Sequence, residues 1–301
     1  MQFDICNSKI HRGVNLPVDF KQLSMKAIFL LLAFSLGLNT TIKGQTTLKN
    51  VDKAEIICFY NYYWQQDSVD PDHIRNERMI LLVGEKTSLF YGYGRHFSDS
   101  VFLANPDINL SAFSELNPPR AISNMRIYKN HPAGNITTFD YVLPDMYQYE
   151  ENLDLFDWTL SDETDVIHGY PVQKATTNFG GREWIAWFTP EIPISDGPYK
   201  FRGLPGLILH IEDSRQHHIF KIESIARSDS ESQNIYLLTR SNIIKTNKQQ
   251  FFKIRERFRQ DVIGGLLSSG VPVHEDTDLD RAQKNMLRRN NPIELIELTA
   301  E

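Results

Sequence analysis

Gly180-Gly181 lies between two arms, residues 172–179 and 182–189, that are both rich in β-forming side chains. Two successive glycines can adopt the positive φ angles of a two-residue hairpin turn. The pair therefore sets a register. With Phe179 opposite Arg182, one face carries Gln173, Ala175, Thr177 and Phe179 against Phe188, Ala186, Trp184 and Arg182. That face is predicted to be the core side. The other places Lys174 opposite Trp187, which predicts a cation–π contact. Such a chain must build around an antiparallel sheet.

The rest of the sequence agrees with that start. Residues 54–64, 79–83 and 88–93 read as strands, the last two split by a Gly-Glu-Lys-Thr turn. Residues 61–78 read as the beginning and body of an Asp-rich loop. Four prolines between 98 and 135 leave that stretch without an assigned element. Strands resume at 137–143 and 155–160. A second hairpin alternates Leu207, Leu209 and Ile211 with Ile208, His210 and Glu212, turns at 213–216 and returns through 218–225. The period then changes: Phe251, Ile254, Phe258 and Val262 share a helical face, capped by Thr246 or Asn247 and stopped by Gly264-Gly265. A second helix is expected from about Asp278 to Asn291, ending before Pro292. The predicted class is mainly β (α+β): a single antiparallel, curved sheet with C-terminal helices.

The N-terminus reads as a targeting segment. Met25-Lys26 opens an apolar run from Ala27 to Leu38, followed by a polar stretch to Gln45. That is the pattern of a cleavable signal peptide, and the run is short for a bilayer span, which needs about 20 residues. The expectation is a misassigned extension at 1–24, a signal peptide at 25–44 and one β-rich domain at 45–301, exported to the periplasm or beyond. Loss of residues 1–44 removes five of 32 basic and two of 38 acidic residues, so the remaining 257 carry a net charge of −9. This argues against a nucleic-acid partner. Cys58 is then the only cysteine, so no internal disulfide is available, and its strand context predicts burial. No membrane span is expected.

Motifs for chemistry are sparse. His210 and one of His217 and His218 can share a strand face, but two ligands do not close a metal site. The run Asp276-Thr277-Asp278-Leu279-Asp280 opens like a calcium loop, yet Arg281 and Leu287 stand where glycine and glutamate are required. No Gly-x-Ser-x-Gly, His-Glu-x-x-His, Cys-x-x-Cys or phosphate loop occurs. Carboxylate pairs, Asp162-Glu163 or Glu191 with Asp196, are read as surface groups. The basic helix with Lys248, Lys253, Arg255, Arg257 and Arg259 is read as a solvated face. No catalytic residue, metal ligand or cofactor is assigned.

Residues 190–206 hold four prolines and three glycines, a rigid connection between the hairpins. Gly203, Pro205 and Gly206 are read as structural turn residues. Leu204-Pro205-Gly206-Leu207 fits a type II turn with positive φ at Gly206. Arg182, Trp184, Trp187, Tyr199, Lys200 and Arg202 cluster in sequence around this connection. An aromatic and cationic group beside a rigid loop suits capture of a small ligand or an envelope protein. Its bland alternative is a sheet core with paired arginines.

Gly203 to Ile208 reads Gly-Leu-Pro-Gly-Leu-Ile, and the chain resembles the GLPGLI family of exported Bacteroidetes proteins. Trp158, Ile167-x-Gly169-Tyr170, Lys174-Ala175, Gly181-Arg182-x-Trp184-x-Ala186-Trp187, Glu191-Ile192-Pro193, Gly197-Pro198 and the closing Asn291-Pro292-Ile293-Glu294 are similar to the rest of its pattern. The resemblance implies an exported envelope protein and supplies no catalytic residues. Three readings follow: a non-catalytic binding or accessory protein, favoured; a secreted hydrolase with a site assembled from scattered residues; or a structural partner of an outer-membrane complex.

Overall fold

One strand, β1 (Thr47–Gln65), organises the sheet. Its second half pairs with β2 (Ile74–Gly84) on one side and β11 (His218–Arg227) on the other, while its first half pairs with β12 (Asn234–Thr239). A computed structural model describes residues 47–228, 233–239, 242–270, 272–274 and 276–295. The expected extension, signal peptide and cleavage point lie outside the described residues.

In chain order, β2 is followed by β3 (Ser88–Gly92), α1 (Tyr93–Ala104), α2 (Leu110–Glu115), β4 (Arg126–Lys129), β5 (Asn135–Val142) and β6 (Asp145–Asn152). Then come β7 (Thr159–Ile167), β8 (Tyr170–Phe179), β9 (Arg182–Thr189), β10 (Leu207–Asp213), β11, β12 and β13 (Ile243–Lys245). Three helices close the described chain: α3 (Lys248–Gln260), α4 (Val262–Ser268) and α5 (Leu279–Leu287). The strands form one open sheet in the order β13-β6-β5-β4-β3-β2-β1-β11-β10-β9-β8-β7, with β12 beside β1. Among the described residues no helix is long and apolar enough to cross a membrane.

The fold is mostly β with C-terminal helices, as expected, but the sheet is mixed and not purely antiparallel. β13 runs parallel to β6. The chain reaches that edge from β12 and not through a hairpin from β6, and only a crossover of this kind can deliver a parallel neighbour.

The hairpin register is the one expected: Phe179 faces Arg182, Thr177 faces Trp184 and Ala175 faces Ala186. Gly180 and Gly181 have φ of 60° and 71°. The Lys174–Trp187 contact gives way to an ion pair, because the Lys174 ammonium reaches the Glu163 carboxylate at 2.8 and 3.0 Å. Three boundaries also move. β1 runs to Gln65, leaving only 66–73 as loop; the strand expected at 155–160 is replaced by β6 and β7 on either side; and Gly264-Gly265 lies inside α4, whose N-cap Asp261 accepts from Gly264 N at 2.8 Å.

Both sheet faces are buried at the centre. Met79 and Leu81 of β2 point into one apolar cluster with Phe90, Ile127 and Phe220, and Ile80 and Leu82 into another with Leu89, Tyr128 and Ile235. Covering on both sides explains the unbroken apolar run of β2. β12 lies over the second face, where the Tyr128 hydroxyl donates to Tyr236 O (2.7 Å) and accepts from Leu238 N (3.1 Å).

Candidate functional site

The connection between β9 and β10 is packed into the molecule. Tyr199, Phe201 and Leu204 join the main apolar cluster. Tyr199 takes a left-handed backbone, φ 54°, uncommon for a side chain of that size. Lys129 from β4 pairs with Asp196 and donates to Gly197 O at 2.6 Å, with both ion-pair partners buried. Burial pulls the Lys129 ammonium below its ordinary range, against the pull of Asp196. Cys58 is buried beside the pair, and burial, with Asp196, pushes its thiol up. A thiol so held is no nucleophile.

The type II turn at 204–207 does not form. Leu207 N donates to Ile192 O at 3.0 Å, and positive φ belongs to Gly203 (101°), not to Gly206. Gly206 is needed for another reason: a Cβ there would stand 2.1 Å from Thr189 O and 2.6 Å from its carbonyl carbon. The connection closes against the strand it left.

Arg182, at the first position of β9, is a hub. Its guanidinium donates to Asp213 Oδ2 (2.9 Å), Asn291 Oδ1 (2.6 Å), Pro292 O (2.7 Å) and Ile293 O (3.1 Å). Three of these acceptors belong to the C-terminal segment, which therefore lies across the hairpin tip. Leu295 N donates to Gly180 O at 2.7 Å. A Cβ on Gly180 would meet Glu294 Cγ at 2.9 Å, and one on Gly181 would meet Leu295 O at 2.9 Å. The two glycines thus make the turn and admit the strap.

Glu294 is wholly buried. Lys200 donates to it at 2.6 Å, Lys248 of α3 lies 2.5 Å from its other oxygen, and the Tyr199 hydroxyl donates to it. Glu151 of β6 completes the set, bound to Lys200 and, at 2.6 Å, to Lys248. Burial alone would raise the Glu294 carboxyl, but Lys200 and Lys248 outweigh it and hold it down at about 2. Two ammonium groups and two carboxylates neutralise each other, with Lys200, Glu151 and Glu294 buried and Lys248 at the edge of the group, an arrangement that fixes geometry.

The six residues read as a capture cluster are accordingly divided. Arg182, Trp184, Tyr199 and Lys200 are buried. The Trp184 indole donates to Phe179 O at 3.0 Å. Trp187 is half-buried, and Arg202 is half-exposed, 3.6 Å from Asp154 with its carbonyl accepting from Trp158 Nε1 at 2.8 Å. The structure brings Arg182, Tyr199 and Lys200 together with a segment about a hundred residues downstream that the sequence reading did not join to them. The available signal covered only part of the set: Arg182, Trp184 and Asn291 to Glu294 are similar to the GLPGLI pattern, whereas Tyr199 and Lys200 lie outside the matching positions.

Two further features bear on function. Asp67, Asp70 and His73 in the β1–β2 loop bring potential metal-ligating atoms within 4.8 Å of one another. Arg288 already neutralises both carboxylates, at 3.0 Å from Asp67 and closer to Asp70, and Asn290 donates to Asp67 at 3.0 Å. The loop is a second anchor for the strap. Elsewhere, a hollow of about 340 Å³ opens where the β4–β5 turn, β5, β6, β12 and β13 meet. Pro132, Phe139, Leu237, Leu238 and Ile243 form its apolar walls, with His131, Thr137, Gln148, Thr239 and Lys245 as polar groups.

A family described as a protein of unknown function, Porph_ging, matches residues 180–210, from the hairpin turn through the connection into β10. No curated protein matches. Among solved structures the chain is similar to PNGF-II in two space groups, with a TM-score of 0.43 in each case. Identity is 14% and 13%; the match covers 67% of this chain and 33% and 32% of those chains. This chain therefore matches about a third of the length of those structures.

Proposed function

We propose that the protein is an exported, non-catalytic ligand-binding accessory protein of the cell envelope, of the GLPGLI type. One observation carries this reading. The buried charges of the matched segment are paired within the chain, Arg182 with Asp213, Lys200 with Glu151 and Glu294, Asp196 with Lys129. A concave, apolar-walled surface lies elsewhere, at β12 and β13. A pocket with apolar walls and a few polar groups is the usual form of a small-molecule site. The signature then serves as architecture, and binding falls to the hollow.

A second reading, docking of a protein partner, draws on α1 and α2. Phe102, Leu103, Leu110 and Leu116 are exposed there, and Phe102 stacks on Phe113 at 5.1 Å. Incubating the purified chain with pooled peptides, glycans and lipids tests both readings. A rise in melting temperature without turnover supports ligand binding. Turnover of any pool overturns it in favour of an enzyme. Capture of a defined envelope protein, lost on Leu110→Asp, transfers the function to the helices.

A further inference from the structure

The register of three strands builds one row across the covered face: Phe139 of β5 is opposite Gln148 of β6, and Gln148 is opposite Lys245 of β13. Ile243, two residues before Lys245, lies on the same face and packs in the cluster that includes Tyr128, Phe139 and Leu237. β12 lies over this row and contributes Leu237, Leu238 and Thr239, and the β4–β5 turn closes one side with His131 and Pro132. The hollow is thus a gap between two layers, walled by side chains whose places are fixed by pairing.

Its charge has one sign. The lining contains no Asp or Glu, and Lys245 is its one formal charge. Among the described residues no carboxylate lies within ion-pair distance of the Lys245 ammonium, whereas Lys129, Lys200 and Lys248 each have one. Glu150, beside Gln148 on β6, accepts from the amides of Gln148 (3.3 Å) and Asn135 (3.2 Å). The Thr137 hydroxyl is used on His131 O at 2.6 Å. What stays open to a ligand is an apolar wall with an unpaired cation at its rim.

We propose that this hollow binds a small amphipathic monoanion, an acyl or aryl carboxylate whose apolar body lies against Phe139, Leu237 and Ile243 and whose head meets Lys245. At about 30 Å³ per water in the liquid, the hollow has the volume of roughly eleven waters, room for a small acid and not for a long chain. The inference rests on the ligand-binding reading given above and names its ligand class. A cationic head would find no counter-charge in the lining, and a neutral one would leave Lys245 unused.

Calorimetric titration of the full chain with octanoate, phenylpropanoate, octanol and octylamine tests it. The expected result is saturable 1:1 binding of one or both carboxylates, at least tenfold tighter than octylamine and weakened by salt. The two acids decide between a linear and an aromatic body. Lys245→Glu changes an exposed side chain, so the fold is retained; it should reverse the preference to the amine. Leu237→Trp should fill the hollow and abolish binding, with circular dichroism verifying the fold. If all four ligands bind alike and Leu237→Trp abolishes them, the ligand class is overturned while the binding reading stands. If Lys245→Glu leaves carboxylate affinity unchanged, the site is not this hollow. If none of the four binds and the pooled ligands also leave the melting temperature unmoved, both readings fall.

Discussion

At the scale of single residues, the connection separates two kinds of glycine. Gly203 has the left-handed backbone, and a methyl group placed on it would find Trp158 Nε1 as its nearest atom at 3.4 Å, so Gly203→Ala is costly mainly through φ. We expect a loss of roughly 1–2 kcal/mol. Gly206 has ordinary φ but no room, since the carbonyl of Thr189 fills the place of its Cβ. Gly206→Val must push β9 and the connection apart, with an expected cost of about 1–3 kcal/mol or more. Arg202→Ala on the same stretch removes a 3.6 Å contact to an exposed carboxylate and should change stability by less than about 1 kcal/mol. Urea denaturation of the three variants checks the ranking. A silent Gly206→Val would mean that the close approach to Thr189 is wrong.

At the scale of elements, the strap at residues 288–295 does what no single strand could. It joins the β1–β2 loop, through Arg288 and Asn290, to the hairpin tip, through Arg182, and then to the β9–β10 connection and α3, through Glu294. Arg182→Ala leaves Asp213 buried without its counter-charge, and removal of one partner of a buried pair costs about 3–5 kcal/mol. Truncation after Asn290 removes Asn291, the Pro292 and Ile293 carbonyls and Glu294 together, and should cost at least as much. Because both changes act on one contact set, the doubly altered chain should lose less than the sum. Additive losses in chemical denaturation would show that the strap and Arg182 act separately.

Those elements also show what the sequence could reveal. The hairpin at Gly180-Gly181 was legible to the residue because local turn chemistry and alternation agree there. The helix α3 was legible because Asn247 caps it and Phe251 and Phe258 share its face. β7 was not, since it is an exposed edge carrying Asp162, Glu163 and Asp165, charges that protect an edge and erase alternation. α1 was hidden by its N-cap, Gly92, which gives no side-chain signal. The candidate site escaped for a different reason. Arg182 and Lys200 look like capture residues in isolation, and their partners, Asn291 to Glu294, are close only after the sheet has formed. The hollow depends on β13 meeting β6 in parallel, a pairing that no local pattern announces.

For the whole molecule, stability should fall with pH well before the carboxylates titrate. His218 lies beneath the strap with its Nδ1 against the Tyr62 hydroxyl at 2.7 Å; burial, then Arg182 and His217, push its pKa well below 6.5. His96 on α1 is pushed down to about 4, by burial first and Arg126 in addition, despite Asp99. A histidine with a depressed folded pKa takes up a proton more readily when unfolded. Its stabilising share is therefore complete above about 6.5 and is lost as pH falls from there toward the folded value. Each contributes a slope approaching 1.4 kcal/mol per pH unit in that window. Glu294 follows the same sign in a lower window, complete above 4.5 and lost toward 2. Glu77 and Asp140, pushed up by burial, act oppositely and soften the fall as pH drops toward the carboxylate range. Unfolding free energy measured by urea between pH 8 and 5 should be level to about pH 7 and then decline. His210 is pushed down as well, by burial first and against Glu212, so His218→Gln should remove part of the decline and leave the rest to His96 and His210. A profile flat from pH 8 to 5, or a decline untouched by His218→Gln, would mean that the strap does not hold this histidine neutral.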